Sequence, residues 1–301
     1  MTITILDGGM GRELQRSGAP FQQPEWSALA LIEAPEHVSR VHRAYIDAGS
    51  EVITTNSYAV VPFHIGEQRF AERGLELVAL SGRLAREAAD AAGRPVKVAG
   101  SLPPVFGSYR PDLFEQARAG SLLGVLVEGL APHVDLWLAE TQSSLAEIRA
   151  ARQATAHTAK PFWTSFTLKD DYPADLPADQ RIPQLRSGET VAEAVTVARD
   201  LGVSAVLFNC SQPEVMEAAV KAARAALGDA TFPIGVYANG FPPQGEEETA
   251  NDGITPIRAD LTPEKYGRFA AAWIAAGATM VGGCCGIGPE HICEMAGKLR
   301  V

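Results

Sequence analysis

A (β/α)8 barrel, of the TIM-barrel class, is the fold the sequence predicts. Eight short apolar runs alternate with helical stretches along the whole chain, and its 301 residues lie near the ~250 typical of such barrels. No Gly-x-Gly-x-x-Gly opens the first helix, which removes the main support for a doubly wound dinucleotide-binding sheet. The eight units leave no residues over for a second domain and no linker, so residues 1–301 read as one domain.

Thr2 to Leu6 form a β-branched first strand that ends in the turn Asp7-Gly8-Gly9-Met10-Gly11, where glycines permit close backbone approach. Helical spacing of Val38, Val41, Tyr45 and Ile46 predicts a helix over 35–48. Strand two is 51–55, followed by Asn56-Ser57-Tyr58, and a long helix over about 70–92 leads to strand three at 96–99. Gly100-Ser101-Leu102-Pro103-Pro104 reads as a turn that neither helix nor strand continues through. A helix over about 112–131 precedes strand four, 134–139, with Glu140-Thr141-Gln142 at its far end. Beyond a helix near 143–158 comes strand five, 161–166, then a polar loop from Lys169 to Gly188. The remaining units are a helix over 190–201, strand six at 205–209, a helix over 213–227, strand seven at 232–237, a helix over 263–276 and strand eight at 278–281. Pro289 opens a closing helix. The loop at about 239–260, with Phe241-Pro242-Pro243 and Glu246-Glu247-Glu248, is either a solvated surface or an active-site lid.

Hydrophobic residues make up 46% of the chain, enough for a sizeable core. Acidic residues outnumber basic ones 36 to 26, a formal charge of −10, which argues against nucleic acid or an anionic membrane as partner and for a small molecule. The N-terminus has no basic flank and no run reaches transmembrane length, so a cytoplasmic protein is expected. In that compartment four cysteines are metal ligands, catalytic groups or buried small residues rather than a disulfide framework.

Active sites of such barrels lie at the C-terminal ends of the strands. Cys210 follows strand six, and Cys284 and Cys285 follow strand eight in the run Gly282-Gly283-Cys284-Cys285-Gly286, so the fold brings the three thiols into one mouth. Three thiolates suit a four-coordinate zinc with one open position, the arrangement of a catalytic site. A zinc already carrying three thiolates is a weak activator of water and better suited to binding and ionising a substrate thiol, so the implied chemistry is sulfur alkylation. Cys293, inside a helix, reads as structural, and none of the six histidines pairs as His-x-x-x-His.

Asp7 and Glu140, after strands one and four, face the same mouth and suit the ammonium of an amino acid; capping a nearby helix is the alternative. Amides of Gly8, Gly9 and Met10 offer a nest for the matching carboxylate. Asn56, Ser57, Tyr58, Trp163, Phe166, Tyr237 and Asn239 add polar and aromatic surface, with aromatic faces able to cradle an onium donor.

Taken together, Leu6-Asp7-Gly8-Gly9-Met10-Gly11, Thr54-Thr55-Asn56-Ser57-Tyr58, Gly100-Ser101-Leu102-Pro103-Pro104, Glu140-Thr141, Asn209-Cys210-Ser211 and Gly282-Gly283-Cys284-Cys285-Gly286 with Pro289 and Ile292 resemble the zinc-dependent homocysteine S-methyltransferases. The matches span the chain in family order. The resemblance implies zinc held by Cys210, Cys284 and Cys285, and homocysteine bound through its thiol at the open position. It further implies Asp7 and Glu140 on the amino group, Gly8 to Met10 on the carboxylate, Asn56, Tyr58 and Asn209 in the substrate site, and direct methyl transfer from an onium donor to give methionine. The chain ends soon after the closing helix, without the C-terminal arm of the betaine enzyme or the folate and cobalamin domains of methionine synthase. A direct donor and a monomer or small homo-oligomer are therefore expected. The expected donor is S-methylmethionine or S-adenosylmethionine. A betaine- or thetin-type donor, a different thiol or selenol acceptor, and a non-catalytic zinc- or thiol-sensing barrel are the alternatives.

Overall fold

The computed structural model describes residues 2–172, 176, 181–243 and 253–299. Successive strand residues point to opposite faces, and the buried apolar side chains divide accordingly into two sets. Leu6, Val52, Ala99, Leu136, Leu138, Ala205, Leu207 and Met280 fill the inside of the sheet, while their neighbours Ile5, Ile53, Val98, Trp137, Val206, Val236 and Val281 pack under the helices. The strands are buried on both faces, as a parallel sheet covered by helices requires.

The strands are β1 (Thr4–Ile5), β2 (Val52–Thr54), β3 (Lys97–Leu102), β4 (Leu136–Gln142), β5 (Phe162–Phe166), β6 (Ala205–Asn209), β7 (Ile234–Ala238) and β8 (Met280–Gly283). They form one eight-stranded sheet in the order β1-β8-β7-β6-β5-β4-β3-β2, every ladder parallel. A single Leu6–Val52 bridge joins the two ends. At this seam the Glu51 N–H donates to Ile5 O at 2.7 Å, and Ile5 N–H donates to a Glu51 carboxylate oxygen at 2.9 Å. The barrel predicted from the alternation of elements is the barrel observed.

Helices α1 (Met10–Arg16), α2 (Ser27–Glu33), α3 (Pro35–Ala48), α4 (Pro62–Ile65), α5 (Glu67–Asp90), α6 (Gln116–Leu130), α7 (Leu145–Ala154), α8 (Val191–Asp200), α9 (Pro213–Leu227), α10 (Pro263–Ala275) and α11 (Pro289–Leu299) lie between and after the strands. Proline opens α3, α9 and α10, where its missing N–H costs nothing. Reciprocal side-chain caps start α7 (Ser144 with Glu147) and α8 (Thr190 with Glu193). No helix among the described residues is long and apolar enough to cross a membrane.

Two expectations are corrected. Gly100 to Leu102 continue β3, and Glu140 to Gln142 belong to β4; both stretches are fully or nearly fully buried, so ladder partners decide against the turn chemistry of Gly100 and Pro103. The short helices α1, α2 and α4 are absent from the sequence reading, because helices of seven, seven and four residues are held by tertiary packing, with little propensity or periodicity to mark them.

His42 on α3 is fully buried and neither ring nitrogen has a hydrogen-bond partner. Burial lowers its pKa to about 4, below the unfolded value of about 6.5. The unfolded chain therefore binds the extra proton between these values, and stability is lost as pH falls through that window. Between pH 8 and 5 the wild type should lose ~2 kcal/mol that a His42→Leu variant retains. Urea unfolding of both proteins at the two pH values measures the difference, and parallel pH dependences would refute it.

Candidate metal and substrate site

The inner rows of the barrel turn polar toward their C-terminal ends. Two residues beyond Val52, Ala99, Leu138 and Leu207 stand Thr54, Ser101, Glu140 and Asn209, so the same period of two that builds the apolar interior builds a polar floor above it. A cavity opens over this floor, lined among others by Asp7, Gly8, Gly9, Met10, Trp26, Asn56, Tyr58, Tyr109, Glu140, Thr141, Cys210, Tyr237, Phe241, Thr255, Cys284 and Cys285.

Cys210 leaves β6 in the left-handed region, with φ +51°, and Cys284 and Cys285 leave β8 directly. The three sulfur atoms lie within 4.8 Å of one another, close enough for one metal ion to bind all three. The thiols share their protons. Donation from Cys210 and Cys284 holds Cys285 well below the ordinary thiol range, helped by the Arg12 charge, while donation to Cys210 and Cys285, together with burial, pushes Cys284 up.

Backbone contacts fix the cysteine turn. Cys284 N–H donates to Ala238 O at 2.9 Å, Gly240 N–H to Cys285 O at 2.7 Å and Gly9 N–H to Ile287 O at 3.1 Å. The Tyr45 hydroxyl from α3 lies 3.2 Å from both Gly9 O and Ile287 O. The Tyr266 hydroxyl from α10 lies 3.0 Å from Ala238 O and 2.8 Å from Gly282 O. Glycine is required where these turns touch: a Cβ on Gly283 would lie 2.2 Å from Ile287 Cγ2, and one on Gly9 would lie 2.5 Å from Cys284 O.

Asp7 accepts from the Thr54 N–H at 2.7 Å and the Thr54 hydroxyl at 3.2 Å. Burial, with a smaller contribution from nearby Glu140, raises its pKa to about 8 against those bonds. Glu140 accepts from the Ser101 hydroxyl; burial raises it to about 7, opposed by that bond and reinforced by Cys210. The Tyr237 hydroxyl beside it is buried without a hydrogen-bond partner. Two carboxyls raised in this way form a strong receptor for a cation, since a positive charge between them reverses the shift.

Trp26, Tyr109, Thr141 and Cys210 are the non-glycine residues with positive φ among those described, and all four line the cavity. Such conformations cost of order 1–3 kcal/mol each and persist where neighbours over-determine them. Asn209 does so for Thr141, accepting its N–H at 3.0 Å and donating to its hydroxyl at 2.8 Å. Arg186 does so for Tyr109, its guanidinium 4.6 Å from the ring centroid and paired at 3.1 Å with buried Asp170.

The structure brings together Cys210, Cys284, Cys285, Asp7, Glu140, Gly8, Gly9, Met10, Asn56 and Tyr58 around one cavity. Asn209 lies outside its lining, fully buried and committed to Thr141 and Ser165. The Gly9 amide is spent on Ile287 O, which leaves Gly8 and Met10 of that turn to receive a carboxylate. Trp163 packs low in the barrel interior, and Phe166 faces the helices. Neither lines the cavity, because β5 ends at Phe166 and its last inward position is Ser165. Asn239 is fully buried and turned to its own loop, accepting from Phe241 N–H at 3.2 Å. The acidic run 246–248 lies outside the described residues, whereas Ile257 of the same loop lies against Gly286 of the cysteine turn. Trp26 and Tyr109 are cavity residues that the sequence reading missed, and Phe241 and Thr255, from the 239–260 loop read as either solvated surface or lid, also line it. Their loops carry no periodic signal, although Phe241 before two prolines marks a fixed turn.

The model of the family described as homocysteine S-methyltransferase matches residues 4–299. The homocysteine S-methyltransferase of Escherichia coli strain K12 is 29% identical over 98% of this chain and 95% of its own. The selenocysteine methyltransferase of Astragalus bisulcatus is 26% identical over 96% and 90%. The crystal structure of the metallated form of the homocysteine methyltransferase MmuM from Escherichia coli superposes with a TM-score of 0.77 at 28% identity, covering 99% of this chain and 96% of that one.

The contact at Gly283 yields a prediction independent of catalysis. Gly283→Ala should displace the cysteine turn, cost about 1–3 kcal/mol and reduce the metal retained on purification. Gly297→Ala, with open space around its Cβ, should be neutral or slightly stabilising. Thermal melts and metal analysis of both variants check this; equal behaviour would refute the packing argument.

Proposed function

Because the chain belongs to the homocysteine S-methyltransferase family, we propose that it is a zinc-dependent enzyme that moves a methyl group from a sulfonium donor, S-methylmethionine or S-adenosylmethionine, to homocysteine. The observation that carries this reading is the cluster of three sulfurs within 4.8 Å beside two buried carboxyls, Asp7 and Glu140. A tetrahedral zinc with bonds of about 2.3 Å has sulfur–sulfur edges of ~3.8 Å, a spacing the cluster accommodates. Cys210, Cys284 and Cys285 would hold the zinc, which when bound would lower the pKa of a substrate thiol while leaving its sulfur nucleophilic.

The chain's own residues do the rest. Asp7 and Glu140 hold the homocysteine ammonium, and the amides of Gly8 and Met10 receive its carboxylate, so the amino-acid head fixes the direction of the thiol. Trp26, Tyr58, Tyr109 and Phe241 give the cavity aromatic faces that favour the positive sulfonium over the neutral thioether product. The thiolate attacks the methyl carbon in line; the new S–CH3 bond forms as the old C–S bond breaks, and its electron pair stays on the leaving sulfur. The thiol proton is lost to solvent before attack, so no general acid or base acts on the methyl. Alignment within the cavity supplies much of the rate.

A selenol acceptor is the second reading, favoured by the similarity to a selenocysteine methyltransferase. A selenol ionises more readily and needs the same head-group contacts. Membership in a family of enzymes weighs against a non-catalytic thiol sensor.

Homocysteine incubated with the zinc-loaded protein and either sulfonium should yield methionine, and betaine should support less. Chelation should abolish turnover and zinc restore it. Cys210→Ser, Cys284→Ser and Cys285→Ser should each lower zinc affinity at least ~10–100-fold, with Cys293→Ser unaffected, as read by competition with a chromophoric chelator. Full methyl transfer by zinc-free Cys210→Ser would overturn the proposal.

A further inference from the structure

Acids and thiols supply the charge of the cavity; no lysine or arginine is among its lining residues. Among the described residues two arginines stack on rings that line it: Arg186 on Tyr109, already paired with Asp170, and Arg12 on Phe241. Arg12 on α1, two residues past Met10, stacks with its guanidinium carbon 5.6 Å from the Phe241 ring centroid. It donates through Nη2 to the Thr255 carbonyl and through Nη1 to Gln15 Oε1 at 2.8 Å. Phe241 and Thr255 both line the cavity. The Nε–H of Arg12 is buried and without a partner. Among the described residues no carboxylate pairs with this arginine, in contrast to Arg16, Arg186 and Arg258. Burial disfavours the charge of this guanidinium.

A half-buried guanidinium held by a neutral carbonyl and an amide keeps an unmet demand for an anion. The acceptor's carboxylate is already served by Gly8 and Met10, deeper in the site. Resting on the proposed methyl transfer, we infer that Arg12 receives the carboxylate of the methyl donor. The donor class is then a carboxylate-bearing onium, such as an amino-acid sulfonium, rather than a bare one. With its carboxylate on Arg12 at the rim and its sulfonium against the aromatic walls, such a donor points its methyl toward the cysteine cluster.

The test compares S-methylmethionine with trimethylsulfonium, which has the same reacting group and no carboxylate. Arg12→Gln should lower the ratio of their kcat/KM values roughly 10–100-fold, through the KM of S-methylmethionine, with Arg12→Lys recovering part of it. Calorimetry on the zinc-loaded proteins should give the same loss of S-methylmethionine affinity, and this holds as a test even if homocysteine is not methylated, an outcome that would instead sink the reaction assignment. An unchanged ratio and affinity would overturn the role of Arg12, as would a rise confined to the KM of homocysteine or an equal loss for both donors, the mark of a packing role.

Discussion

Everything at the site hangs on two buried tyrosines. Ala238 O, Ile287 O and Gly9 O each accept one backbone N–H, from Cys284, Gly9 and Glu13, and each keeps a second lone pair free for a further donor, while Gly282 O lies one residue before the end of β8. Tyr45 and Tyr266 reach in from α3 and α10 and lie within hydrogen-bond distance of two such carbonyls each. They tie helices that cover the barrel to the backbone that presents Cys284 and Cys285. The glycines of both turns then become obligatory, since any side chain would hold apart surfaces the tyrosines draw together.

Above that frame the site departs from what an ordinary core would tolerate. Two carboxyls are buried without an arginine or lysine beside them, and three thiols crowd together. Four side chains sit on left-handed backbone. The carboxyls and thiols are unfavourable without a counter-charge and would be relieved by a cation beside Asp7 and Glu140 and by a metal among the sulfurs, whereas the backbone strain is held by its neighbours. The polar network behind, Asn209 on Thr141 and Asp170–Arg186 on Tyr109, keeps these groups from relaxing away.

The barrel and the cysteine cluster were legible in the sequence because both follow from one rule: strands alternate with helices, and residues just past strand ends share one mouth. Asp7 and the cysteines need only that rule, whereas Glu140 lies within β4 and reaches the mouth as an inward position of the two-residue period. Asn209 shows its limit, since adjacency to Cys210 could not tell a cavity wall from the clamp behind it. Trp163 and Phe166 misled because two residues along β5 separate the floor position Ser165 from the lower interior, and one residue separates it from the outer face. Tyr45, Tyr266, Arg186 and Arg12 were illegible for another reason. They act from helices and loops, and the direction of a long side chain is set by packing that no local pattern encodes.

Between β1 and β2 the barrel is laced more by side chains than by backbone. One Leu6–Val52 bridge spans the seam, and the Glu51 and Asp7 carboxylates supply hydrogen bonds across it, to Ile5 N–H and to Thr54. Seven ladders are continuous sheet; at the eighth contact one bridge and the Glu51 N–H to Ile5 O bond are supplemented by two acid side chains. The amides of Thr4 and Leu6 are held by the β8 side, so closure of the cylinder toward β2 depends on these two carboxylates together with the single bridge. The carboxylate that bonds Thr54 across the seam is also the one that faces the cavity, so any cation gripped by Asp7 is felt along the line where the cylinder parts.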